Sequence, residues 1–157
     1  MLKWIFVINL CSTWYLVGLI WMVQIVHYAL FDRVGTGVFT SYESDHQRLI
    51  TPIVGPPMLV ELFAAISMAI MLQGNTQSRL NAVCPSWLAW TLVAMIVGVW
   101  LCTFFVSVPY HGKLSSGFDI QNYRGLVHTN WIRTVLWTMR GIVLAYLTVR
   151  LLDSPPT

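Results

Sequence analysis

Glu61 stands in the run MLVELFAA, a carboxylate whose chain neighbours on both sides are apolar. Exposing such an acid to lipid is costly, so it points inward and marks either a site or an ion pair, here with Arg133 or His27. A second polar signal lies in LVHTNWIRTVLWTMRGIVLAY, where Asn130, Arg133, Trp137 and Arg140 recur at i, i+3, i+7 and i+10. On an ideal helix these four occupy one arc about 80° wide. Two arginines on one apolar stripe need carbonyl or anionic partners. They either tie helices together or hold an anionic or quinone-like oxygen. Near the N-terminus Trp14, Trp21, Gln24 and Tyr28 share a face, with His27 at its edge. The histidines are His27, His46, His111 and His128, and no His-x-x-x-His spacing occurs among them. Imidazoles brought together from different helices suit iron, copper or zinc.

Composition decides where these residues work. Of 157 residues, 57% are hydrophobic and only 10% charged, far below the quarter usual for a soluble domain. The formal net charge of +3 is spread thinly, with no clustered basic face to serve as a nucleic-acid footprint. The three cysteines form no disulfide framework: Cys11 and Cys102 fall within apolar runs and Cys84 within a loop. The chain reads as one membrane domain, a small helical bundle.

Four stretches are long enough to cross a hydrocarbon core. Residues 4–31 carry no Lys, Arg, Asp or Glu, too long a run for the apolar region of a signal peptide, and form a retained first helix. The second span covers about 57–73, with Pro56-Pro57 at its start. The third covers 87–110, with Pro109 marking its exit, and the fourth 127–152. Trp and Tyr recur near the span ends, as an interfacial belt requires. Between the first two spans, Phe39, Tyr42, Glu43, His46 and Ile50 recur at helical spacing. Thr40-x-x-Glu43 matches a capping box, so a short amphipathic helix is expected over 40–51, at the interface or the bundle mouth. Residues 73–86, opening QGNTQS, read as a polar connector.

The predicted fold is therefore an all-α, integral-membrane, antiparallel four-helix bundle with a short amphipathic helix between the first and second spans. Threading up and down places all four histidines at one membrane face, with Asp32, Glu43, Asp45, Glu61 and Asp119. By helical rise, His27 lies about 7 Å, Glu61 about 6 Å and Arg133 about 9 Å inside their span ends. Three ionisable groups from three helices are thus expected at one level.

The pattern VPYHGKL…LVHTNWIRTVLW resembles the C-terminal half of the anthrone oxygenase-like family of small four-helix membrane proteins. Asn130, Arg133 and Thr134 match the start of that family's fourth helix. Val108, Pro109, His111 and Leu114 match the exit of its third, with His111 where the family has asparagine. The resemblance covers roughly the last fifty residues at motif level. It implies a four-helix membrane fold and, in some members, oxygenation of an activated polycyclic aromatic to a quinone.

These readings assign catalytic roles to Glu61, His27, Arg133 and Asn130. Glu61 or His27 takes a substrate proton, and Arg133 with Asn130 stabilises the developing oxyanion. Trp21, Gln24, Tyr28, Trp137 and Arg140 are the substrate contacts, and His27, His46, His111 and His128 the candidate metal ligands. The expected partners are the lipid bilayer, a lipophilic small molecule, and a membrane-protein partner or second copy, with no nucleic acid. The cofactor is open between a metal, a haem and none. The alternative is a non-catalytic subunit whose buried charges fix helix packing and whose aromatic faces meet partner helices or pigments. The expected location is a cell inner membrane, crossed several times. Counting Lys and Arg puts the histidine-rich face in the cytoplasm, while Lys3 argues the other way.

Overall fold

A computed structural model of the chain describes residues 1–74 and 78–153. Among these residues there is no strand, and four helical segments are long and apolar enough to cross a membrane. The first is α1 (Leu2–Met22), which widens into a π-helical turn over Val23–His27 and tightens into a 3₁₀ turn over Tyr28–Arg33. The second is α2 (Phe39–Gly74), and a short α3 (Arg79–Val83) follows. The third span joins α4 (Ser86–Cys102), a π-helical turn over Thr103–Ser107, and α5 (Val108–Leu114). The fourth is α6 (Ile120–Asp153). Helix α1 packs on α2, α2 on α4, α4 on α6 and α6 back on α1, closing a four-helix bundle. Large apolar side chains such as Phe63, Phe105, Val135 and Ile142 point outward, which suits acyl chains as solvent.

Three elements depart from expectation. Segment 40–51 is not a separate helix, because α2 runs unbroken through Pro52, Pro56 and Pro57. Gly55, lacking a Cβ, eases the crowding that proline imposes on its predecessor. The carbonyl of Ile53, which Pro57 cannot satisfy, accepts from the Tyr15 hydroxyl at 3.4 Å. At about 54 Å by helical rise, α2 outruns a 30 Å hydrocarbon core, so one end of it projects beyond. Thr40 lies inside α2 and makes no capping box; Glu43 turns instead toward the third span. Pro109 does not end the third span. The preceding π-helical turn makes room for the proline ring, and the helix continues to Leu114.

The loops are closed by specific devices. Ser78 Oγ accepts from the Asn81 amide at 3.1 Å and caps α3. Asp119 Oδ1 accepts from the Asn122 amide at 2.7 Å and caps α6. Gly117, at φ 143°, supplies a backbone conformation closed to side-chain-bearing residues. Of the expected connector, 75–77 lie outside the described residues.

The interior is layered. Phe6, Leu72, Leu80, Leu92 and Leu144 fill one end. Leu16, Met58, Val99 and Trp137 form the middle, and Tyr28, Phe31, Phe39, Leu114 and Leu126 the other end. Polar side chains are inserted at two levels between and within these layers.

Candidate functional site

The deeper polar level is closed on itself. Glu61 Oε1 accepts from Thr13 Oγ1 at 2.7 Å and from Arg140 Nε at 3.0 Å, while Oε2 accepts from Trp137 Nε1 at 3.0 Å. Arg140 also donates to the Leu92 carbonyl at 2.8 Å and to Asn9 Oδ1. Glu61 and Arg140 are fully buried. Every strong donor and acceptor here is spent, so this is an interhelical tie joining α1, α2, α4 and α6. Glu61 meets neither Arg133 nor His27. The expectation of one level for all three fails because α6 presents Arg140, two turns further along, to Glu61.

The second level is open. Arg133 is 7% exposed and forms no ion pair among the described residues. Its Nε and Nη2 both donate to Asn130 Oδ1, and Nη1 reaches Thr103 Oγ1 at 3.3 Å. Asn130 in turn donates to Gln24 Oε1 at 2.7 Å, and Gln24 donates to the Val127 carbonyl at 3.3 Å. The chain aligns the guanidinium without neutralising it.

Arg133 borders a cavity of about 330 Å³ lined by all four spans. Tyr28, Trp100, Phe104 and Trp137 give it flat walls, and Leu16, Ile20, Val54 and Met58 an apolar interior. Thr51, Phe104 and Val108 line it yet are exposed, so it opens sideways between α2 and the third span. Trp100 Nε1 and Ser107 Oγ, on two more lining residues, are buried without a hydrogen-bond partner among the described residues. Unpaired donors in such a place cost free energy unless something else accepts from them.

Beside the cavity stands a network from three helices. Glu43 Oε1 accepts from Gln47 Nε2 at 3.1 Å and lies 2.6 Å from His111 Nδ1. With that nitrogen donating to the carboxylate, His111 Nε2 is left to accept from the Tyr28 hydroxyl at 3.0 Å. Glu43 Oε2 is buried and has no hydrogen-bond partner among the described residues. His27 Nε2 and His46 Nδ1 are 2.8 Å apart, and the His46 and His111 ring centroids are 5.3 Å apart. The π-helical turns at Val23–His27 and Thr103–Ser107 flank this region and set the angles of Gln24, His27, Thr103 and Ser107.

Of the expected site residues, Tyr28, His46, His111, Arg133 and Trp137 line the cavity, and Asn130 and Gln24 hold Arg133 from behind. Trp137 is also the wall between the two levels, with its indole N–H spent on Glu61. Trp21 is on the outside, donating to Thr138 Oγ1 at 3.0 Å and edge-on to Trp131. His128 is exposed on α6 and takes no part in the histidine network. Among the described residues, no group of three or more His, Cys, Asp or Glu side chains stands in a geometry that would hold a metal ion. Glu43 was missed as a site residue, although its i, i+3 spacing from His46 puts both on one face of a helix. Trp100, Thr103 and Ser107 sit in an apolar run that gives them no distinguishing pattern.

No protein-family model matches this chain, and no curated protein or solved structure does. Fold and interior together describe a multi-pass membrane protein carrying buried polar side chains.

Proposed function

We propose that this protein takes a lipophilic, ring-bearing molecule with an acidic or ketonic oxygen from the bilayer and acts on it as an oxygenase-type oxidoreductase. The observation that carries the reading is Arg133: a guanidinium out of water, with no counter-charge among the described residues, bordering a cavity in which Trp100 Nε1 and Ser107 Oγ are also unspent. Desolvated donors fixed in advance stabilise a developing oxyanion far better than water does. The side opening between α2 and the third span suits entry from acyl chains, and the tryptophan walls suit a fused aromatic ring.

Tyr28 is the group placed to take a proton from the bound molecule, its own O–H proton passing to His111 Nε2 while Glu43 holds His111 Nδ1–H. Glu61, bound up with Arg140, does not reach the cavity, and His27 reaches it only through His46. An enolate or phenolate stabilised by Arg133 is electron-rich enough to react with dioxygen. For an anthrone-like carbon the balance is one CH₂ and one O₂ giving one C=O and one water, with no further reductant. The likeness of the third-helix exit and fourth-helix start to anthrone oxygenase-like proteins points the same way. The non-catalytic alternative draws its support from the Glu61–Arg140 tie alone.

The test uses the full chain in lipid nanodiscs and 1,8-dihydroxyanthrone as probe, read by tryptophan fluorescence and oxygen uptake. Saturable quenching, weakened at least tenfold in Arg133→Met, and oxygen consumed one-to-one with probe are expected. Quenching that rises without saturating and is unchanged in Arg133→Met marks simple partition into lipid and overturns the reading.

A further inference from the structure

A second cavity, of about 370 Å³, lies on the outer side of the histidine network, between the first span and α2. His27, Tyr42 and Asp45 line it, and so does His46. Asp45 is exposed and paired with exposed Arg48 at 2.9 Å, so one edge of this cavity carries a charged pair, while Met22, Leu49 and Ile53 make the rest of its rim apolar. His46 also lines the Arg133 cavity, as do Val23 and Ile50. Of the three residues common to both spaces, His46 alone can carry a proton, and its partner His27 faces only the outer one.

We propose that the His27–His46 pair is a proton relay between the polar face and the Arg133 cavity. The two rings meet through His27 Nε2 and His46 Nδ1 at 2.8 Å. His27 Nδ1 and His46 Nε2 make no hydrogen bond among the described residues, which leaves one free ring nitrogen on each member of the pair. A proton arrives at His27 Nδ1, the Nε2 proton of His27 passes to His46 Nδ1, and the Nε2 proton of His46 leaves into the inner cavity. One proton has moved, both rings are neutral again with their tautomers exchanged, and the reverse hop or ring flips reset them. The titratable and charged groups around the pair are Tyr28 from the first span, Tyr42, Glu43 and Asp45 from α2, His111 from the third span and Arg133 from α6. The relay gives the cavity of the proposed function its exchange with water, and in that sense it rests on that reading.

The test needs no ligand. In protein labelled with [15N]histidine and held in nanodiscs, the exchange of the His46 imidazole N–H with water is followed by NMR in native protein, His27→Phe and His27→Gln. Phenylalanine keeps the ring packing against Phe31 and Tyr42, and glutamine keeps a hydrogen bond to His46 without relaying a proton. Exchange slowed at least tenfold in both variants, with the His111 signal unmoved, is the expected result. Exchange at the native rate in either variant overturns the relay while leaving the anthrone cavity standing. Unsaturable anthrone quenching has the converse effect.

Discussion

Arg140 Nε donates to Glu61 Oε1 at 3.0 Å with both side chains sealed from solvent, while Arg133, on the same stripe of α6, pairs with no carboxylate among the described residues. Two arginines that look equivalent in the sequence therefore have different surroundings: one is paired with a buried carboxylate and the other is held by neutral side chains.

The closed pair predicts a stability pattern. Glu61→Gln leaves Arg140 buried without its counter-charge, and breaking one partner of such a pair costs about 3–5 kcal/mol. The thermal midpoint of the bundle in detergent should fall by roughly 10 °C. The double variant Glu61→Leu/Arg140→Met, which removes both charges, should recover much of that loss. If Glu61→Gln melts as the native protein does, the pair is no structural tie.

Close approach of the third and fourth spans predicts a second pattern. A Cβ on Gly125 would lie 2.5 Å from Tyr110 Cζ and 2.6 Å from its hydroxyl oxygen. Gly125→Ala should therefore displace the Tyr110 ring and cost about 1–3 kcal/mol. Gly112→Ala is the control, since a Cβ there meets open space. Equal thermal midpoints for the two variants would contradict this packing.

The bundle was legible because a bilayer demands long uncharged helices, and residues 4–31 can satisfy little else. The candidate site was legible by residue type and only partly by grouping. Arg133, Asn130 and Trp137 stood out because polar groups at helical spacing in an apolar run must meet something. Their partners could not be read, since a pairing depends on how far each helix slides along its neighbour. A register difference of two turns on α6 decides whether Glu61 finds Arg133 or Arg140. Counting depth from span ends failed for the same reason: proline and charge do not end these helices, and α2 and the third span both run past the expected boundaries. Glu43 was hidden because Thr40-x-x-Glu43 reads as the capping box of a short interfacial helix, whereas α2 carries that segment into the interior.

Cys84 offers a check on the connector side of the bundle. Burial pushes its thiol up to about 11. At pH 8 the thiolate is then on the order of one part in a thousand, against a tenth or more for an ordinary thiol. Iodoacetamide should label Cys84 in folded protein at least tenfold more slowly than after denaturation, with the rate climbing tenfold per pH unit. Because the folded thiol holds its proton above the pH at which the unfolded one releases it, this group lowers stability as pH rises past the ordinary thiol range. Peptide mass spectrometry separates Cys84 from Cys11 and Cys102, and equal rates in folded and denatured protein would place the thiol outside the core.

The Arg133 charge can be tested by neutralising it from its own partner. Asn130 Oδ1 already accepts from both Nε and Nη2, so Asn130→Asp places a carboxylate where the amide oxygen stands. The new charge-assisted pair compensates for the lost donor to Gln24, and the thermal midpoint should stay within a few degrees of native. Probe binding should nevertheless weaken at least tenfold, as it does in Arg133→Met, because the cavity no longer offers a net positive charge. The two variants approach neutrality from opposite directions, one deleting the cation and one supplying its anion. Agreement between them separates the effect of charge from that of cavity shape. Tight anthrone binding by Asn130→Asp would show that shape and apolar contact recruit the ligand, and Arg133 would then lose its role as oxyanion partner.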